Sequence, residues 1–279
     1  MPYAEREGAS IYFEEDGPDG PVEQGAPVEQ GAPSAVLLIM GLGYPGSMWY
    51  RVLPYLTDHY RVIRPDNRGV GRTGVGEGDY SIEGMADDAA AVLEAAGVEA
   101  AHVVGASLGG FVAQELALRH PERVRSLALV CTNSNGPEAV PPSPEALEML
   151  GTRRTLTPRE AAELAIPFIY APDTDRALVD EDIEVRMRQP TSPEGYTKQL
   201  QAAIAHGGTY ARLPQISVPT VVVHGTEDRL VDPANAAILA GRIPGAKVVM
   251  IEGASHILFT DRTEEVGRTL RTFLDSVDS

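Results

Sequence analysis

Ala101-His102-Val103-Val104-Gly105-Ala106-Ser107-Leu108-Gly109-Gly110-Phe111-Val112-Ala113-Gln114-Glu115-Leu116-Ala117-Leu118 joins an apolar run to a helix-forming run through one glycine-flanked serine. It reads as a strand, a sharp turn and a helix. A serine hydroxyl is a weak nucleophile unless it is held exposed beside a base. A strained turn does that holding: the backbone pushes the side chain out of the sheet edge, and flanking glycines leave room for it. The helix that follows aims its N-terminal amides and the positive end of its dipole at the same spot, where they favour an anion. The Gly-x-Ser-x-Gly spacing alone is a weak signal and fits an ordinary strand-to-helix turn. Its weight depends on whether a carboxylate, a histidine and a second amide donor follow in the right order.

Outward from this turn, strand-length apolar runs alternate with helix-periodic stretches, the pattern of a mostly parallel sheet with helices on both faces. Two N-terminal segments, residues 2–6 and 9–14, read as a hairpin pair. Strands are expected at 35–40, 60–65, 101–106, 124–131, 219–224 and 247–251. Helices are expected near 47–56, 81–96, 108–119, 233–242 and 262–275. Ser81 supplies an N-cap and Gly97 a stop for the second of these. Pro21-Val22-Glu23-Gln24-Gly25-Ala26 is repeated at once as residues 27–32, and a polar duplication with nothing to bury reads as a solvated, mobile loop. Residues 134–214 are proline-rich, lack a clear strand and carry helical patterns, with Ser192-Pro193 as a cap followed by an N1 proline. A stretch of that length is too long for a loop. The expected organisation is a core domain made of 1–133 and 215–279, with 134–214 as a helical cap domain over the C-terminal edge of the sheet.

Composition narrows the function. The net charge of −17 argues against nucleic acid and anionic membranes as partners. No stretch approaches the roughly 18–20 apolar residues of a membrane span, and no apolar leader is evident, so a cytoplasmic location is the default expectation. The single cysteine, Cys131, lies in an apolar run and reads as a buried, inert thiol. No Cys/His spacing suits a metal, and no Gly-x-Gly-x-x-Gly opens a dinucleotide-binding unit, so no cofactor is expected.

A serine nucleophile needs a base, and the base needs a carboxylate to fix its tautomer. Of six histidines, His256 in Glu252-Gly253-Ala254-Ser255-His256 follows the last strand, where a side chain can reach across the sheet edge. His59 and His102 precede strands, His120 ends a helix, His206 lies in the cap and His224 ends a strand. The acid is best placed at Asp228 in Val223-His224-Gly225-Thr226-Glu227-Asp228-Arg229. Glu227 is its neighbour and alternative, and Asp232 reads more readily as a helix N-cap before Pro233. Where some hydrolases carry the acid one strand earlier, Thr132-Asn133-Ser134-Asn135-Gly136 offers no carboxylate. The second oxyanion donor should come from Met40-Gly41-Leu42-Gly43-Tyr44-Pro45-Gly46, whose glycines let the Leu42 N–H face inward beside that of Leu108.

The Gly-Ala-Ser-Leu-Gly-Gly turn, Arg64-Pro65-Asp66-Asn67-Arg68-Gly69-Val70-Gly71-Arg72, His224-Gly225-Thr226-Glu227-Asp228 and Gly253-Ala254-Ser255-His256 together resemble the α/β-hydrolase fold superfamily. The resemblance spans nearly the whole chain outside the duplicated loop and is weakest in the cap. Within it the chain is most similar to capped serine esterases and lactonases, including enol-lactonases, polyketide methylesterases and cofactor-free haloperoxidases. It implies nucleophile Ser107, acid Asp228, base His256 and oxyanion amides at Leu42 and Leu108. One departure is Met40, where such loops often carry a histidine before the glycine; the donor is a backbone amide, so the hole should survive. The segment around Arg68 is expected to tie the sheet edge by hydrogen bonds. Ser107 stands where dehalogenases and epoxide hydrolases use aspartate, which disfavours both.

The expected activity is cleavage of a small to medium apolar ester or lactone through an acyl-enzyme. The alternatives on the same triad are a carbon–carbon bond hydrolase, a perhydrolase or haloperoxidase-type enzyme, and a low-turnover hydrolase-fold receptor. Trp49, Phe168, Tyr170 and Met187, with Met48, Ile169 and Ile204, are expected to line the substrate pocket. Whether the protein is a monomer or a homo-oligomer is not written in the sequence.

Overall fold

The computed structural model describes residues 3–18 and 33–279; the duplicated hexapeptide lies outside them. The strands are β1 (Tyr3–Arg6), β2 (Ala9–Asp16), β3 (Ala35–Ile39), β4 (Arg61–Pro65), β5 (Ala101–Ala106), β6 (Val124–Val130), β7 (Thr220–Gly225) and β8 (Lys247–Ile251). They form one sheet in the order β1-β2-β4-β3-β5-β6-β7-β8. The β1–β2 and β2–β4 pairs are antiparallel and every other pair is parallel.

Period-two alternation builds the two faces. Leu37, Ile39, Val103 and Val222 point to one side, where they meet α1 (Ile82–Ala95), α2 (Leu108–Arg119) and α7 (Ala234–Arg242). Val36, Leu38, Val104 and Val223 point to the other, against Trp49 and α9 (Thr263–Asp278). Each fully buried aliphatic side chain contributes about 1.5–3 kcal/mol, so the central strands are anchored from both sides. The helix ends follow their sequence signals: the Ser81 side chain accepts from Gly84 N–H, and Gly97 (φ 73 is seen at Gly8; here φ is 68) closes α1 in the left-handed region.

Between β6 and β7 the chain makes α3 (Pro144–Thr152), α4 (Pro158–Ile169), α5 (Arg176–Met187) and α6 (Pro193–Ala205). Three of them start with Ser or Thr before an N1 proline: Ser143-Pro144, Thr157-Pro158 and Ser192-Pro193. Thr157 and Glu160 close a full capping box. A short α8 (Leu258–Asp261) precedes α9.

One expected element is corrected. The helix expected at 47–56 is two 3-10 turns, Gly46–Arg51 and Leu53–Tyr55. Pro54 has no N–H to give an α-helical bond and its ring obstructs a continuous helix, so the segment breaks before it. No helix among the described residues is long and apolar enough to cross a membrane.

Candidate active site

Because β3, β5, β6, β7 and β8 run parallel, the loops that follow them leave from one edge of the sheet. β5 delivers Ser107 there. Its backbone sits at φ 55 and ψ −120, a conformation that costs a non-glycine residue about 1–3 kcal/mol. Surroundings hold it: Ser107 N–H donates to Val130 O at 2.9 Å, and Ser107 O accepts from Gly110 N–H and from the Thr132 hydroxyl, at 2.8 and 2.7 Å. The flanking glycines are required by space. A Cβ on Gly109 would run into the Ile39 carbonyl, and one on Gly105 would meet Gly109 and Ala113.

β7 and its loop deliver Asp228, which is buried. Its Oδ1 accepts from the Leu230 and Val231 amides, both at 2.9 Å. Its Oδ2 lies 2.8 Å from His256 Nδ1 and 3.2 Å from His224 Nε2. Burial pushes the Asp228 pKa up, but the His256 charge and the hydrogen bonds from His224 and His256 outweigh it, leaving the carboxyl well below the usual carboxylate range. An ionised carboxylate only accepts, so His256 Nδ1 carries the proton and Nε2 is the free ring nitrogen. Glu227 is exposed, and Asp232 accepts from Ala234 N–H at the start of α7, so neither neighbour competes for the imidazole.

Ser107 and His256 line one cavity of about 340 Å³, along with Leu42 and Leu108. No hydrogen bond joins Ser107 Oγ to His256 here; such pairs often close only when substrate is bound. No hydrogen bond among the described residues uses the Leu42 or Leu108 N–H. The loop that carries Leu42 is held from two directions. The inserted helices reach it through Gln199 Oε1, which accepts from Gly43 N–H at 2.8 Å, and through the Thr191 hydroxyl, which donates to Gly43 O at 2.9 Å. From below, Asn67 Nδ2 donates to Met40 O and Asp66 Oδ1 accepts from Gly46 N–H. Arg68 pairs with Asp88 on α1, tying the sheet edge.

The expected pocket wall is corrected in part. Ile169 and Ile204 line the cavity. Trp49 is fully buried behind it, with its ring 4.6 Å from that of Phe259, which does face the cavity. Tyr170 turns away, its hydroxyl donating to Asp182 Oδ2 at 3.0 Å, and Met48 lies beside it. Phe168 and Met187 are half-buried against the core on the Trp49 side of the sheet. The cause is helical phase: on α4, Phe168 is turned about 100° from Ile169. Sequence reasoning missed the rest of the wall, Leu147 and Leu150 on α3 and Leu200 and Ala203 beside Ile204 on α6, although the sets are spaced i, i+3 and i, i+3, i+4. It also passed over His224 as a strand end, and over Arg153.

Cys131 faces the cavity from the end of β6 and is buried, with its pKa pushed well up by burial and then by the Asp228 charge. A thiol so held is protonated and unreactive.

The model of the alpha/beta hydrolase fold family matches residues 34–263. A protein of Azorhizobium caulinodans that carries the name carbamate hydrolase RutD is 31% identical over 284 residues, covering 100% of both chains. A pimeloyl-[acyl-carrier protein] methyl ester esterase of Aeromonas hydrophila is 30% identical over 254 residues, 86% of this chain and 94% of that one. Among solved structures, the enol-lactonase from Burkholderia xenovorans superposes with a TM-score of 0.84 at 28% identity, covering 98% of this chain and 100% of its own. With the sheet order, the serine turn and these likenesses in agreement, the chain belongs to the alpha/beta hydrolase fold family.

Proposed function

We propose that the protein is a serine hydrolase that cleaves a carboxylic ester or lactone through an acyl-enzyme. The observation that carries this reading is the shared cavity: it is lined by a strained serine, an imidazole bonded to a buried carboxylate, and Leu42 and Leu108, whose amides are unused. The relatives named for ester and lactone cleavage support the bond type.

In the proposed reaction, Ser107 Oγ attacks the carbonyl carbon while His256 Nε2 takes the hydroxyl proton. The carbonyl oxygen becomes an oxyanion, held by the Leu42 and Leu108 N–H groups. The bond to the leaving oxygen breaks as His256 returns the proton to it, releasing the alcohol, or opening the ring of a lactone. Water then attacks the acyl carbon, giving its proton to His256, and the Ser107 ester bond breaks as His256 returns that proton to Ser107 Oγ, releasing the acid. Asp228 holds the imidazole tautomer and stabilises its charged form throughout. Residues 134–214 act as the cap that selects the substrate.

Substituting Ser107→Ala should reduce turnover of p-nitrophenyl esters at least about 1000-fold, to the level left by the oxyanion hole alone. A fluorophosphonate probe should label the wild-type chain at Ser107 and leave the variant unlabelled. Retained turnover in the variant would reject the assignment.

A further inference from the structure

Among the described residues the cavity wall contains no Asp or Glu, in a chain with 40 acidic and 23 basic residues. Its permanent charges are two arginines, Arg153 and Arg154, in the 3-10 turn Arg153–Thr155 that follows α3. Arg154 is exposed; Arg153 is only 4% exposed. Arg153 Nε and Nη2 are buried without a hydrogen-bond partner among the described residues. What it has instead is aromatic surface, with its guanidinium 4.8 Å from the centre of the Tyr196 ring and 5.9 Å from that of Tyr44.

Arg186 on α5 lies behind the same aromatic layer. It is 4% exposed, stands 4.3 Å from the Tyr44 ring centre, and leaves Nε and Nη1 without partners. Burial lowers its pKa, and the neighbouring Arg153 charge pushes the same way. Two buried cations without a carboxylate are costly, because an aromatic face returns only part of the hydration that burial removes. Among the described residues the arrangement lacks an anion, and Arg153 lines both the substrate cavity and a small hollow that it shares with Arg186.

We propose that the natural substrate carries a free carboxylate that pairs with Arg153, with Arg186 behind it raising the local positive potential. The remaining wall, Leu147, Leu150, Leu200 and Ile204 among it, is apolar and takes the stem between that carboxylate and the scissile carbonyl. The substrate class is thus a half-ester or a lactone acid with an aliphatic body. The planar guanidinium fork fits a carboxylate in two parallel hydrogen bonds, and one such monoanion matches the one cavity-lining buried arginine. This proposal rests on the ester-hydrolase reading for the position of the carbonyl but adds a separate binding site to it.

The test compares mono-p-nitrophenyl adipate with its methyl-capped diester at low ionic strength. The wild-type enzyme should favour the free acid in kcat/KM by roughly ten-fold or more, the worth of a hydrogen bond to a charged group. Arg153→Met should remove most of that preference, and Arg153→Lys, which keeps the charge but not the fork, should fall between. Adipate should inhibit the wild-type enzyme competitively where 1,6-hexanediol does not, a measurement that needs no variant to fold. Equal preference for the two esters, a preference unchanged in Arg153→Met, or inhibition by an alkyl phosphate but not by adipate would overturn the proposal. Calorimetry of adipate with Ser107→Ala separates the two readings. Binding that is lost in the Ser107→Ala, Arg153→Met chain sustains the carboxylate site even if no ester is turned over. Ester turnover that ignores the carboxylate leaves the hydrolase and removes the site.

Discussion

Asp228 receives two backbone amides on one oxygen and faces two imidazoles on the other. A buried carboxylate stays ionised only when its lone pairs are occupied, and His224 fills the place that His256 leaves. His224 itself is fully buried, with Nε2 3.0 Å from Val231 O, so its ring is fixed across the same loop that carries the acid. It touches no reacting atom; its effect passes through Asp228. Substituting Asp228→Asn should reverse the proton on His256 and lower kcat by about 10,000-fold. Substituting His224→Phe should cost far less, roughly ten-fold, because the two amides and His256 still hold the carboxylate. Its mark would be a lower kcat with KM unchanged, since His224 does not line the cavity. Steady-state kinetics read both; an unchanged kcat in His224→Phe would leave that residue a packing group. In sequence, His224 looks like any histidine at a strand end, which is why its place beside Asp228 is visible only once β7 and β8 are paired.

The strands, α1, α2 and the placing of Ser107, Asp228 and His256 at one edge of the sheet are legible because they rest on local signals: alternation, caps and glycines that lie next to each other in the chain. Ser107 and Asp228 belong to that class. The face that a helix turns to the cavity does not, since Phe168 and Ile169 are adjacent in sequence and only packing decides which of them reaches inward. Arg153 is the extreme case: nothing around Thr152-Arg153-Arg154-Thr155 separates a buried arginine from a solvated one. The same limit hides how an inserted helix braces the edge of the sheet that carries Ser107. Gln199, on α6, binds Gly43 N–H through its carbonyl oxygen and Arg68 O through its amide at 2.8 Å each, so one side chain fixes the loop carrying Leu42 against the loop beneath it. Gly43 N–H is otherwise a buried donor with nothing to meet. Gln199→Ala should therefore loosen the Leu42 amide and lower kcat by about ten-fold, less than the 100- to 1000-fold of losing an oxyanion donor outright. KM should change little, because Gln199 does not line the cavity. A change in KM with kcat intact would place the residue in substrate binding instead.

At the scale of the whole molecule, the inserted helices are tied to the sheet by a buried charge. Glu115 on α2 is fully buried and accepts from His206 Nε2, at the end of α6, at 2.8 Å, and from Arg212 Nη1 at 2.9 Å. Burial pushes its pKa up, but the bonds to His206 and Arg212 overcome this and bring it from 4.5 down to about 2. A carboxyl held below its unfolded value binds protons more readily in the unfolded chain. Its contribution to stability is therefore complete above about pH 4.5 and fades as the pH falls towards 2. Many of the 40 acidic residues titrate over the same range, so a falling Tm in acid does not by itself report on Glu115. The difference between wild type and Glu115→Gln does, because every other carboxyl is common to both. At pH 7 that variant should lose about 2–3 kcal/mol, several degrees in Tm, by leaving Arg212 and His206 without their anion. At pH 3 the wild-type advantage should shrink, as the pair's contribution drains from the native state. Thermal unfolding of both chains at pH 7, 5, 4 and 3 measures the gap. A gap that stays constant to pH 3 would mean that Glu115 holds the two layers by shape and hydrogen bonding, with its charge playing no part.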